Sequence, residues 1–486
     1  MHPFNTFVIR PLALLVCSAW MTGCSVGPDY RASNEPAVEL TQSPDNALYS
    51  STRLQQDWWR QFQDPQLDAL IDQALARNHD LRIAQARLLE ARAVLDQRQL
   101  DQLPTVTASG AYSRSLSQAN PGPSGERNLA KTYQAGLDAQ WELDLFGRLQ
   151  RLSQASSARA EAVAADLAQT RIVVTADVAR HYFELRGAQR QLAVAQANLS
   201  NQEKTVALVQ GRVDAGRGTA DELASALAER ARVQATLPSL ETRQALSCYR
   251  LAVLTGSRPN ELQALTDLKA LPALVTRLPI GQVSDLLRQR PDVASAERAL
   301  AASNADIGAV TAELYPRIDL GGFLGFVALR GGDLGDSGSR AFSVMPSVSW
   351  PALHLASVKA RQREAQAREV GTRARYEQVV LNAIEETESA LTTYSLSQQR
   401  VRSLAEAAAQ SERAARLAHA RYEAGSAAYL VELDAQRTQL NAQDALTQAE
   451  TASYLNVVQL YKALGGGWRA PEPLSSYAVT GQGPRG

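Results

Sequence analysis

Apolar residues recur at helical spacing along two very long stretches of this chain. The stretches 148–212 and 355–421 contain no proline, and the first carries apolar residues three, four or seven positions apart, at Leu167, Val174, Val178, Leu185, Ala188, Leu192, Ala195 and Leu199. A repeat near 3.5 residues predicts helices that supercoil against neighbouring helices. Because about 65 residues at 1.5 Å per residue span roughly 98 Å, the pattern predicts an elongated assembly and not an ordinary globular core.

Strict alternation of apolar and polar residues marks a second kind of element. From Tyr133 to Leu145 every second residue is apolar, and weaker alternation covers 106–116, 318–329 and 342–350. Period two over about ten residues predicts four strands, each with one face in lipid and the other face wet. The alternative is a pair of soluble hairpins that cover a core, but no other segment supplies strands for such a core.

Four membrane strands predict self-association of the chain. Four strands are too few to close a barrel, and each unpaired backbone group at an open edge costs several kcal/mol in lipid. The smallest closed barrels have about eight strands, so two copies are the minimum and three copies give a wider lumen.

The end of the long helix occurs twice in the sequence. Four pairs of residues lie at one constant offset, namely Arg212 and Arg421, Ala215 and Ala424, Gly216 and Gly425, and Ala226 and Ala435. Glycine ends a helix readily because it adopts the left-handed backbone conformation. We therefore expect each long helix to stop at a tip turn and to return as a shorter helix, the first of them kinked near Pro238.

The N-terminus has the features of a targeting segment. Arg10 precedes the apolar stretch 11–21, and Met21-Thr22-Gly23-Cys24 resembles the box that lipoprotein signal peptidase cuts. The prediction is that Cys24 becomes the lipid-carrying first residue of the mature chain; a plain secretory signal is the alternative. Removal of Cys17 and acylation of Cys24 leave Cys248 alone, so no intramolecular disulfide is expected.

Composition and motifs exclude several function classes. The chain has 50 basic and 50 acidic residues and no basic block, which disfavours nucleic acid as a partner. Its five histidines are scattered, the stretch 211–218 lacks the Gly-Lys-Ser/Thr ending of a phosphate loop, and there is no GxSxG motif. We predict no catalytic site, no metal site and no cofactor, and hence no enzyme.

Several motifs together resemble one family, the bacterial outer membrane efflux channels of the TolC type, in the lipoprotein branch typified by OprM and NodT. The resemblance covers nearly the whole mature chain and is carried by CSVGPDY from Cys24, Trp58-Trp59 with Phe62, Asp64-Pro65 with Leu67, Asn78-His79-Asp80-Leu81, WELDLFGR from Trp141, and the two tips. The sequence departs from the family at Met21 and at Trp350-Pro351-Ala352-Leu353, where relatives often have an Asp-Gly-Gly turn.

The resemblance implies a mixed α and β fold that is internally duplicated. It has long helical-barrel coiled coils and four transmembrane β-strands per chain, which form a 12-stranded barrel in a homotrimer. It places the chain in the outer membrane, lipid-anchored and extending through the periplasm. The implied function is a passive exit duct for drugs or other small molecules. The implied partners are a periplasmic adaptor protein and an inner membrane pump of the resistance-nodulation-division class.

On this basis the chain divides into ten segments. They are a lipoprotein signal peptide (1–23), an N-terminal equatorial segment (24–65), a helix (66–104), the first β-hairpin (105–147), the first long helical hairpin (148–255), an equatorial connector (256–281), a helix (282–316), the second β-hairpin (317–352), the second long helical hairpin (353–465) and a C-terminal equatorial or disordered tail (466–486).

The tips supply the predicted site residues. Arg212, Gly216, Arg421 and Gly425 are expected to form the turns and to contact the adaptor. After the second tip, Leu430 and Asp434 lie one helical turn apart, and under three-fold symmetry they would form a narrow apolar ring beside an acidic ring. The resemblance assigns matching residues to the periplasmic gate. In the alternative interpretation, Leu430 packs between helices and Asp434 pairs with an arginine such as Arg437.

Two other functions stay open from the sequence. A protein-secretion channel uses the same kind of duct. A structural periplasmic coiled-coil lipoprotein would explain the long helices but not the four alternating strands.

Overall fold

A computed structural model of the chain describes residues 25–31, 47–118, 127–266, 271–272, 277–281 and 289–468. The signal peptide, Cys24, parts of the connector and the tail after Trp468 lie outside the described residues. The chain forms two compact units. One comprises Met1–Asn34, Arg87–Ala164 and Ser295–Glu377, and the other comprises Glu35–Ala86, Ala165–Ala294 and Gln378–Gly486.

The described elements follow the order expected for a duplicated chain. They are β1 (Tyr49–Ser50), α1 (Pro65–Arg77), α2 (His79–Leu100), β2 (Thr105–Gln118), β3 (Arg127–Leu143), α3 (Arg148–Asp214), α4 (Ala220–Gln234), α5 (Leu237–Leu254), β4 (Leu278–Pro279), α6 (Pro291–Ala312), β5 (Arg317–Ala328), β6 (Arg340–Ser349), α7 (Leu355–Glu423) and α8 (Tyr429–Ala463), with short 3-10 turns at Trp58–Phe62, Pro259–Thr266, Gly331–Asp333, Ser337–Ser339 and Gly465–Gly467.

The first unit contains one antiparallel sheet in the order β2-β3-β5-β6. The four predicted strands are therefore confirmed, with shifted ends. β3 begins at Arg127 and not at Tyr133, because its pairing with β2 continues outward to Gln118. It ends at Leu143 and not at Leu145, because the Leu145 N–H donates to the Leu143 carbonyl (2.8 Å) in a tight turn.

The two faces of this sheet differ in polarity. On one face Leu137 is paired with Leu324 and Trp141 with Leu320, and the exposed fractions of Leu137 and Leu324 are 48% and 66%. The other face carries serine, threonine, glutamine, glycine and acidic residues at alternate positions. Side chains alternate across a strand, so this sheet has the apolar and wet faces that a membrane strand requires.

Two tryptophans hold the ends of the strands that lead into the long helices. The indole N–H of Trp141 donates to the carbonyl of Gln102, and that of Trp350 donates to the carbonyl of Leu314, each at 3.0 Å. Both carbonyls belong to the turn that follows a helix and precedes a strand. The two equivalent tryptophans therefore make the same bond in the two halves of the sheet.

The second unit has an aromatic core. Trp58 stacks on Tyr461 with ring centroids 5.0 Å apart, and Phe62 packs edge-on to Phe183 at 4.9 Å. All four rings are buried. The nearby helix α1 starts at Pro65, because the Asp64 carboxylate caps it by accepting hydrogen bonds from the N–H groups of Gln66 (3.0 Å) and Leu67 (3.4 Å).

The helices have the predicted lengths and two additional breaks. α3 has 67 residues and α7 has 69, so each spans roughly 100 Å along its axis. The segment predicted as one helix over 66–104 is two helices, because the Asn78 side chain caps α2 by accepting from the Asp80 (2.8 Å) and Leu81 (3.1 Å) N–H groups. The kink expected near Pro238 is a break between α4 and α5, with Pro238 in the first turn of α5.

Both tips are Schellman turns, the helix ending in which two crossed backbone bonds close over a left-handed residue. At the first tip Gly216 has φ +67°, and the N–H groups of Gly216 and Arg217 donate to the carbonyls of Val213 (2.9 Å) and Arg212 (2.8 Å). At the second tip Gly425 has φ +71°, and the same two bonds form at 2.9 Å each. The repeated Arg-x-x-x-Gly spacing thus encodes one turn twice.

We expect Gly216→Ala to loosen the first tip. Alanine in the left-handed region costs about 1–2 kcal/mol, whereas no neighbouring atom lies within 4 Å of the position that the added Cβ would take. Hydrogen exchange of the amides around the turn should therefore accelerate.

Gly211→Ala is the matched control, since Gly211 lies inside α3, also with nothing within 4 Å of its added Cβ. There alanine favours the helix by about 1 kcal/mol, and exchange should slow. Equal effects of the two substitutions would contradict the backbone argument.

Candidate functional site: the helical tips

The second unit contains a small core of its own at the tips. The ends of α3 and α7 and the returning helices α4 and α8 contribute buried side chains, namely Val209, Ala226, Tyr422, Tyr429 and Leu433. The rings of Tyr422 and Tyr429 lie 5.5 Å apart, and burial raises the pKa of Tyr429 to about 12. The two hairpins are therefore packed together at their tips.

The equivalent arginines of the two tips have different surroundings. The Arg212 guanidinium lies over the Tyr422 ring, 4.4 Å from its centroid, and donates to the Tyr422 carbonyl at 3.0 Å. Arg421 is exposed, and its carbonyl accepts from Ser426. Of the four predicted tip residues, only Arg212 connects one tip to the other through its side chain, and Arg421, Gly216 and Gly425 lie at the surface.

A buried carboxylate links the two returning helices. Glu229 of α4 is fully buried, and it accepts from Arg232 of the same helix and from Arg437 of α8 (2.8 Å). Burial alone would raise the pKa of Glu229, but its bonds to Arg232 and Arg437 lower that pKa below the ordinary glutamate value. A lowered carboxylate pKa means that this link stabilises the tip at neutral pH and weakens as the pH falls through the pKa of Glu229.

A second buried carboxylate lies on the first turn of α8. Glu432 is fully buried, and one of its oxygens contacts Nδ1 of His419 (2.7 Å) and accepts from the Gln436 amide (2.9 Å). Burial raises the pKa of Glu432 and its contact with His419 opposes that shift, while the same contact raises the pKa of His419. The pair fixes the start of α8 against the end of α7.

Leu430 and Asp434 lie on the exposed side of the same helix. Leu430 is 64% exposed and Asp434 is also exposed. Arg437 pairs with Glu229, and among the described residues Asp434 makes no ion pair. Within this chain, Leu430 therefore does not pack between helices and Asp434 does not pair with Arg437.

The residues that hold the tips together carry little signal in the sequence. Tyr422 and Tyr429 flank the second turn, and an aromatic pair so close to a predicted tip could have indicated a local core. Glu229, Glu432 and His419 carry no periodic signal, because their role depends on which helices pack together.

The chain after Cys24 is bound in the first unit. The Val26 N–H donates to the Phe146 carbonyl (3.2 Å), and the Arg151 guanidinium donates to the Val26 carbonyl (3.2 Å) and to the Asp29 carboxylate (2.7 Å). Phe146 lies between the end of β3 and the start of α3. The described segment 25–31 is thus held next to the end of β3 through Val26 and Asp29.

Other chemistry is not evident in the described part of the chain. No group of three or more histidine, cysteine, aspartate or glutamate side chains among the described residues is arranged to hold a metal ion. Within those residues, no helix combines the length and the apolar character needed to cross a bilayer.

Comparison with known proteins identifies the family. The family described as "Outer membrane efflux protein" matches residues 70–257 and 282–466. The antibiotic efflux pump outer membrane protein ArpC of Pseudomonas putida is 30% identical over 484 residues, which cover 98% of this chain and 99% of ArpC. The cation efflux system protein CusC of Escherichia coli O157:H7 is 30% identical over 459 residues, 92% of this chain and 97% of CusC.

A solved structure agrees with the sequence comparison. The structure of the outer-membrane channel OprN superposes with a TM-score of 0.89 at 43% identity and covers 92% of this chain and all of that one. The four strands, the duplicated hairpins and the long helices are thus those of a known channel. The chain belongs to the outer membrane efflux protein family and is an outer membrane channel of an efflux system.

Proposed function

We propose that the chain works as a homotrimer in which twelve strands close one barrel. The main support for this proposal is the strand order β2-β3-β5-β6. In it β2, with 14 residues, and β6, with 10 residues, are edge strands that pair on one side only within the described chain. Open edges in lipid leave backbone groups without partners. Pairing of β2 of one copy with β6 of the next removes both edges.

Leu137→Arg tests the barrel. Leu137 lies on the apolar face in the middle of β3, and an arginine near the bilayer midplane costs roughly 2–4 kcal/mol. The heat-sensitive trimer band in unheated gel samples should weaken.

Gln140→Arg is the control, because Gln140 lies on the opposite face of the same strand and should keep the trimer intact. A chain that inserts and conducts as a monomer would refute the assembly.

We propose further that Leu430 and Asp434 form the periplasmic gate. Both side chains are exposed on α8, next to the small buried core of the tips that contains Tyr422, Tyr429 and Leu433. In a trimer, three copies of Leu430 would narrow and dewet the opening, and three copies of Asp434 would favour cations. The Glu229–Arg437 bond supports this arrangement, because it holds α8 against α4 and so fixes the position of the gate residues.

The double variant Leu430→Ala, Asp434→Ala should open the periplasmic end. Single-channel conductance should rise, cation preference should fall, and cells without a pump should become permeable to large antibiotics, because both rings are removed. Val431→Ala is a matched control, since Val431 is 56% exposed on a neighbouring side of the same helix. Wild-type conductance and selectivity in a normally assembled double variant would place the gate elsewhere.

The lipid anchor on Cys24 is part of the proposal, and the described segment 25–31 supports it, because Val26 and Asp29 are bound next to the end of a membrane strand, β3. Intact-mass analysis of the membrane-extracted protein should show a chain that starts at Cys24 and carries acyl groups. An unmodified chain that starts elsewhere would contradict it.

The proposed partners are a periplasmic adaptor and an inner membrane pump of the resistance-nodulation-division class. The exposed Arg421, Gly216 and Gly425 form the surface offered to the adaptor. The names of ArpC and CusC refer to antibiotics and to cations, which supports a duct whose cargo is chosen by the pump. The proposed cargo here is drugs or other small molecules.

A further inference from the structure

The polar face of the sheet carries one aromatic ring, and most of the side chains around it are polar and uncharged. Phe323 of β5 alternates with the apolar residues Leu320, Leu324 and Phe326 of the opposite face, and it is the single aromatic residue that the described strands place on the polar face. Its neighbours there are Thr107, Ser109, Gln134, Gln140, Ser343 and Ser347. An aromatic ring in such surroundings is not explained by contact with lipid.

Two glycines make room for this ring against the backbone. Gly136 and Gly325 are paired across β3 and β5. A Cβ added to Gly136 would lie 2.6 Å from a carbon of the Phe323 ring, and one added to Gly325 would lie 2.9 Å from the ring. The ring therefore lies across the glycine pair, and its position is fixed although it is only partly buried.

A carboxylate without a cationic partner faces Phe323. Asp138 is the residue directly opposite on β3, a position at which Cβ atoms are about 5 Å apart. Its carboxylate accepts from the Ser109 hydroxyl and makes no ion pair among the described residues. By contrast, Arg317 lies 3.2 Å from Glu142 and 3.0 Å from Asp319, the acidic residues nearer the base.

A flexible thioether lies on the same face of the neighbouring strand β6. Met345 of β6 lies opposite Gly321 and is 58% exposed. It is the diagonal cross-strand neighbour of Phe323, at a separation that long side chains can bridge. Methionine adapts to ligands of different shape and is common on surfaces that bind many partners.

We propose that Phe323, Met345 and Asp138 form a weak binding site for organic cations that carry aromatic rings. The ring face attracts the cation and stacks on its apolar part, Met345 adapts to its shape, and Asp138 compensates its charge. The inference rests on the proposed function, in which the polar face lines the water-filled lumen. Weak binding suits a duct, because cargo that enters the site must also leave it.

Ethidium is the probe for this site, since it is a permanently charged aromatic cation whose fluorescence rises on binding. It is titrated against the full chain in lipid nanodiscs. Phe323→Leu and Asp138→Asn should each weaken binding about threefold to fivefold. The matched controls Phe326→Leu, on the opposite face of β5, and Asp333→Asn, in the loop after β5, should bind as the wild type does. Tetraethylammonium, a cation without a ring, should not displace ethidium.

The outcomes separate this site from a packing role and from the proposed function. If Phe323→Leu lowers thermal stability but leaves ethidium binding unchanged, the ring only covers the glycine pair and the site is refuted. Equal affinity in all variants also refutes it. Binding is measured without conductance, so a conducting protein with unchanged ethidium affinity contradicts only the site. A protein that binds ethidium through these residues but does not conduct contradicts only the proposed function.

Discussion

The constraint on which the rest of the structure depends is the need of every backbone N–H and C=O group for a partner in lipid. One chain satisfies this need inside its sheet but not at β2 and β6, which are its edges. The apolar face that suits each strand to the bilayer is also what makes an open edge so costly. Four strands are too few to close a barrel in one chain. The strands of several symmetry-related copies can close it together.

Buried charged groups hold the helices in position at the tips. Several ion pairs within the long helices, such as Arg368–Glu364 and Arg416–Glu412, are exposed i,i+4 pairs of the kind that contribute little. Glu229 and Glu432 are instead fully buried, and each contacts a residue on another helix. Partners on other helices offset part of their desolvation, so the position of α8 is defined more sharply than alanine-rich packing alone would define it.

Much of the fold could be predicted from local pattern, and little of the site could. Alternation at Tyr133 identified β3, and the two glycines identified both turns, because strand period and left-handed backbone are local properties. The pairing of Glu229 with Arg437 depends on residues 208 positions apart in the chain, which no local pattern specifies. Phe323 was predicted as part of a strand, but its face was not assigned. Its ring packs against the backbone of Gly136 and Gly325, and two glycines in the sequence do not indicate which ring they contact.

If the proposed gate lies on α8, the Glu229–Arg437 bond affects how often the channel leaks at rest. The Arg437 side chain is 46% exposed, and solvent screening reduces such a bond to about 1 kcal/mol. A helix that must break this bond to move away from its neighbour would therefore be found in the displaced position about five times less often than the same helix without the bond. The permeability of the outer membrane to toxic compounds would then depend on how often α8 moves away from α4 in each chain.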